Sequence, residues 1–196
     1  MSNSGWVVLD RAHHTLRTAV AGIGDDQWGA ATPCSEWTVT QVFHHAVGDQ
    51  QAYAGSLTGT GFPEENPFQP SGTLTGDPQR TLDMALAATA NAYASVSADQ
   101  AEVPVPLPQG PLSAAVAAGA AALDAAVHAW DIAVATGQQP LLDDALAAMI
   151  LEVAPEIVEP VRAFAFAPPL TGLSGDSPRD ALLRYVGRDP AWGESR

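Results

Sequence analysis

The chain has 196 residues, 46 % of them hydrophobic, and a formal net charge of −14. All eight basic residues are arginines, against 22 acidic ones, which disfavours nucleic acid and anionic membrane as partners, since both need clustered positive charge. The lone cysteine, Cys34, excludes an internal disulfide framework and fits a reducing compartment.

The length suits one domain, residues 1–196, able to bury a substantial core. The opening residues MSNSGWVVLDRAHH lack the charged start and apolar run of a signal peptide. No stretch reaches the roughly 18 unbroken apolar residues of a membrane span. A cytoplasmic location is expected.

A first helix is predicted over about residues 6–23, capped by Asn3 or Ser4, with Val7, Val8, Ala12, Leu16, Ala19, Val20 and Ile23 as its apolar stripe. Thr38 is the predicted N-cap of a second helix, 39–57, which carries His44 and His45. Gly, Pro, Ser and Thr crowd residues 58–76 and mark a long loop, and loops of that length are commonly functional or disordered. Asp77-Pro78 opens a third helix, 78–97, as N-cap and first helical residue. VPVPLPQGP (103–111) reads as an extended connection, and Leu112–Ala135 as a fourth, Ala-rich helix that ends before Gly137. A fifth helix, 141–153, is expected to kink or end near Pro155, at the start of a C-terminal extension (155–196). The stretch AFAFAPPLTGLSGDS reads as irregular, and Ser177-Pro178 opens a short last helix. Four long helices, a crossover loop and no strand pattern predict an all-α four-helix bundle with short extra C-terminal helices.

The fourth helix is small and apolar apart from Asp124, His128 and Asp131. Asp124 and His128 are four apart and share one face. A carboxylate and an imidazole on such a helix are costly to bury unpartnered, and a bound metal ion would account for them. His45, mid-way along the second helix, is the candidate third ligand. Two imidazoles and one carboxylate make up the set of a catalytic zinc site with an open position, and also of non-haem iron oxygenases.

These stretches resemble a known family. TPCSEWTVTQVFHHAVGDQ (32–50) is similar to the second-helix motif of DinB-like metal-binding proteins, in the branch of the mycothiol-dependent maleylpyruvate isomerase N-terminal domain. That motif has a Trp-Thr pair and a ligand His eight residues after the Trp, which selects His45 and not His44. LDAAVHAWDIAVATGQQP (123–140) resembles the helix bearing the acidic ligand, a His four residues on, and then x-Trp-Asp: here Asp124, His128, Trp130 and Asp131. SPRDALLRYVGRDPAW (177–192) is similar to the closing segment of actinobacterial members.

The resemblance implies an up-down-down-up bundle, often a homodimer, with a divalent metal held by His45, Asp124 and His128. Zn2+ is the expected ion, with Ni2+ and Fe2+ as alternatives. It implies an enzyme that activates a low-molecular-weight thiol such as mycothiol, its co-substrate, for attack on a small electrophile, by S-transfer or isomerisation. Two departures point away from maleylpyruvate isomerisation itself. The acidic ligand is Asp rather than Glu, and the second domain of the isomerase is not expected here. Two other readings stand beside this one. One is a biosynthetic cyclisation or rearrangement with the metal as Lewis acid or absent. The other is a non-catalytic metal-binding protein.

Other polar residues have plainer expectations. His44 projects about 100° from His45 and reads as a surface or supporting residue. His13 and His14 read as solvated. Trp37 and Trp130 read as core aromatics that fix the ligand helices. Asp131 is matched equally to a surface salt bridge and to an Arg or the free ring nitrogen of a ligand His. Cys34 reads as a small buried hydrophobe, since no basic group sits beside it in sequence. The loop phenylalanines Phe62 and Phe68 are expected to help close the pocket.

Overall fold

The computed structural model describes residues 3–193; Met1, Ser2 and the last three residues of the polar tail lie outside it. The protein is all-helical, and no strand occurs among the described residues. The long helices are α1 (Val7–Ala21), α2 (Val39–Thr58), α3 (Pro78–Tyr93) and α4 (Ala114–Ala135). They close a ring in which α1 lies along α4, α4 against α2, α2 against α3, and α3 against α1.

Local chemistry sets most helix ends. Gln41 Oε1 accepts from the Thr38 backbone N–H at 3.0 Å, one half of a capping box, and Gly59 closes α2 in the left-handed region at φ 73°. Asp77 accepts from the Arg80 N–H at 3.2 Å ahead of Pro78. The predicted cap of α1 is corrected. Trp6 is the N-cap, and Ser4 Oγ instead accepts from the Trp6 N–H at 3.0 Å. Val7, placed in the apolar stripe by sequence, is 66 % exposed.

The predicted ends of α3 and of the fifth helix ran too far. α3 stops at Tyr93, and Ser95 Oγ then donates to the Ala92 carbonyl at 2.7 Å. Asp143 accepts from the Leu146 N–H at 2.8 Å, so α5 spans only Asp144–Leu151. Pro155 opens a short α6 (Ala154–Val158) instead of ending a helix, since its missing N–H is no loss in a first turn. A 3-10 turn (Glu159–Val161) and α7 (Arg162–Ala165) follow, and α8 (Pro178–Tyr185) packs on α5. Residues 103 and 112 pair across the proline-rich connection, which holds the entry to α4.

α4 is buried on every face from Val116 to Ala133. Its alanines let α1 and α2 approach closely, and that approach carries α2 polar groups to Asp124 and His128. Gly48 and Gly55 do the same for the loop of residues 59–77. A Cβ at Gly48 would touch the Pro67 ring, and one at Gly55 would strike the Gly61 carbonyl oxygen. The loop therefore lies flat on α2. No helix among the described residues is long and apolar enough to cross a membrane.

Candidate metal centre

The structure brings together the three residues singled out by sequence. Asp124 Oδ1 lies 3.5 Å from His45 Nε2 and 3.5 Å from His128 Nε2. One ligand atom from each residue falls within 4.8 Å of the others, and all three residues are buried. The two imidazoles stand nearly perpendicular, with ring centroids 4.8 Å apart.

Neighbouring groups fix the tautomer of each ring. His45 Nδ1 is 2.8 Å from the Pro67 carbonyl, which only accepts, so Nδ1 carries the proton. In the neutral ring, the Nε2 lone pair then faces Asp124. His128 Nδ1 is 3.0 Å from Asp131 Oδ2, with the same result. Burial lowers the His128 pKa to about 4, so this ring is neutral at pH 7. Burial would raise the Asp131 carboxyl, but the Arg188 guanidinium and the His128 N–H together hold it below its ordinary value. Asp131 thus meets both the Arg and the ring nitrogen expected of it, and is fully buried. The surface salt bridge is set aside.

With both rings neutral and Asp124 ionised, two imidazole lone pairs and a carboxylate oxygen would converge with only acceptors facing one another. Such an arrangement is repulsive unless a proton or a cation sits among the groups. The set of two nitrogens and one oxygen suits zinc and its neighbours in the first transition row. The His–Asp–His cluster could hold a metal ion.

Sequence reasoning missed Asp49. Its Oδ2 lies 3.7 Å from His45 Nε2, one turn along α2, and its carboxyl hydrogen-bonds to that of Asp124. Burial pushes both carboxyls up; the Asp49 charge pushes Asp124 up further, whereas the His45 ring and the bond to Asp124 pull Asp49 back down. The signal was present: His45-x-x-x-Asp49 mirrors Asp124-x-x-x-His128 at the same spacing.

Gln50 was missed as well. Fully buried, it donates to the Ala121 carbonyl at 3.0 Å and to Asp124 Oδ2 at 3.4 Å. Its Oε1 accepts from His13 Nε2 at 2.8 Å. His13 is therefore a buried residue, correcting the expectation that it is solvated: α4 and α3 pack against α1, and Gln50 of α2 bonds the ring. Burial lowers its pKa to about 4. His14, next along α1, is exposed as expected. The outer end of this chain of bonds meets a surface cavity lined by Asp10, His13, His14 and Arg17.

Aromatic rings wall the cluster. Trp37 stands 4.6 Å from the His45 ring and 6.5 Å from that of His128, so it lines the site while packing against the core. Phe68 lies 5.8 Å from His45 and 6.5 Å from Phe164 of α7. Phe68 and Phe164 are 53 % and 64 % exposed. The loop thus reaches the cluster through Pro67 and Phe68, while Phe62 stands exposed. His44 faces the loop further along, with Nε2 3.1 Å from the Thr73 carbonyl. Burial raises the Cys34 thiol to about 11, although the fold brings Arg188 to it. Trp130 is buried in the core.

Fold and cluster define an all-helical protein with a buried His–Asp–His group able to hold a metal ion. The chain belongs to the mycothiol maleylpyruvate isomerase N-terminal domain family, which it matches over residues 9–133. His45, Asp124 and His128 all fall inside that span, whereas Arg188 and Phe164 lie beyond it. The chain is also similar to uncharacterised proteins of Mycobacterium tuberculosis, strains CDC 1551 / Oshkosh and ATCC 25618 / H37Rv. In each case the identity is 31 % over 183 residues, covering 91 % of this chain and 94 % of the relative. No solved structure matches.

Proposed function

We propose that the protein is a divalent-metal-dependent enzyme that turns a low-molecular-weight thiol, mycothiol foremost, onto a small electrophile by S-transfer or isomerisation. The observation that carries this reading is the meeting of His45 Nε2, His128 Nε2 and Asp124 Oδ1 in one buried cluster. Membership of a mycothiol-related family supports the thiol. The ring of four long helices is, on the same reading, the DinB-type up-down-down-up bundle.

His45, Asp124 and His128 would hold the ion. When bound, it would supply charge that stabilises a thiolate and polarises a carbonyl. The protein's own groups do the rest. Asp131, clamped by Arg188, keeps the His128 proton on Nδ1. The Pro67 carbonyl does so for His45. Trp37 keeps water from one side of the cluster. Phe68 and Phe164 offer an apolar edge to the electrophile. Zn2+ is the proposed ion.

The test is elemental analysis of the purified protein, followed by mycothiol consumption on addition of an electrophile such as maleylpyruvate or a chlorinated aromatic. About one zinc per chain with thiol loss that stops in His45→Ala supports the reading. A zinc-bearing protein that consumes no thiol removes it and leaves the biosynthetic and non-catalytic readings.

A further inference from the structure

We infer that Asp49 supplies a fourth protein ligand to the ion, so that the centre is built from two imidazoles and two carboxylates. The inference rests on the metal reading above and deepens it. His45-x-x-x-Asp49 on α2 and Asp124-x-x-x-His128 on α4 present two matched i,i+4 pairs to one another. Asp49 Oδ2 is 3.7 Å from His45 Nε2, comparable to the 3.5 Å spacings among the other three. The Asp49 and Asp124 carboxyls are already in contact.

Charge gives the physical reason. A dication beside one carboxylate would leave a net positive charge in an apolar interior, which is costly. A second carboxylate makes the group neutral. Conversely, two buried carboxylates in contact repel unless a proton or a cation lies between them. Each anomaly is the remedy of the other. Gln50 donates to Asp124 Oδ2, which leaves Oδ1 as the atom turned to both imidazoles.

Asp49 is also the most solvent-reachable member. Its side chain is 22 % exposed, against 8–10 % for the other three. Of the four groups that would hold the ion, Asp49 is thus the one best placed to give way to an incoming thiol.

The experiment is a crystal structure of the zinc-loaded full chain, with zinc affinities measured by competition against a chromophoric chelator for wild type, Asp49→Asn and Asp49→Glu. An Asp49 oxygen at about 2.0–2.2 Å from zinc is expected. Asp49→Asn should bind zinc at least about tenfold more weakly, with Asp49→Glu closer to wild type. Metal-free melting of each variant shows that the fold is kept. A water in the fourth position, with Asp49→Asn binding zinc as tightly as wild type, overturns the assignment of Asp49 while leaving the three-ligand centre standing. Wild type that binds no zinc overturns the metal reading and this inference with it.

Discussion

Arg188 and Asp131, 57 residues apart, form a buried bidentate ion pair, Nε to Oδ1 at 3.1 Å and Nη2 to Oδ2 at 3.0 Å. Asp131 passes that constraint to His128 Nδ1. The segment after α8 thereby sets the tautomer of a ring on α4. Arg188→Met should leave a buried carboxylate unpaired and destabilise the fold by about 3–5 kcal/mol. Zinc affinity should fall by about 10–100-fold, because the ring loses its orientation. Urea unfolding and chelator competition read the two effects separately.

Metal removal separates a self-sufficient core from a metal-built one. The core of α1–α4 is continuous without any ion. We expect the chelated protein to stay helical by circular dichroism. Zinc at about a hundred times its Kd should add about 2.7 kcal/mol to the unfolding free energy. Asp124→Asn and His128→Ala should abolish that increment.

His13 makes stability depend on pH. Its pKa is about 4 in the fold, lowered by burial, against 6.5 as its ordinary value. Between those values the unfolded chain binds the extra proton, so the contribution of His13 to stability rises with pH across the window. It is present in full above about 6.5 and is lost as pH falls towards 4. The groups facing the ring are Gln50, Arg17 and Asp10. His13→Gln should remove up to one proton from the slope of unfolding free energy against pH. Urea titrations of both proteins from pH 4 to 7 check this, since other titrating groups cancel in the comparison. An unchanged slope would show that His13 binds its proton equally well in the folded and unfolded chain.

Gly55 tests how the loop is held. A Cβ there meets the Gly61 carbonyl oxygen, backbone that cannot swing aside. Gly55→Ala should cost about 1–3 kcal/mol by overpacking. It should also lift the loop of residues 59–77, seen as faster limited proteolysis. Zinc affinity should weaken as Pro67 leaves His45.

Much of the candidate metal centre was legible in the sequence. Asp124 and His128 are paired by helical period alone, and the resemblance of the stretch after Trp37 to the family's second-helix motif chose His45 over His44. Both features are local, written within a turn or two of one helix. Helix starts at Thr38, Asp77 and Ser177 were legible for the same reason, since a capping side chain bonds to backbone only two or three residues on.

What surrounds these three residues was not legible. The burial of His13, the Gln50 bridge, the Pro67 carbonyl on His45 and the Arg188 clamp on Asp131 each join segments far apart in the chain. Asp49 had the right spacing, yet only the approach of α2 to α4 gives its carboxyl a partner. Sequence determined an all-helical protein with an imidazole–carboxylate group on two helices, because periodicity and capping act over a few residues. Tertiary structure decided which polar groups lose their water and what they meet in its place, because desolvation and charge pairing depend on which distant surfaces close over them.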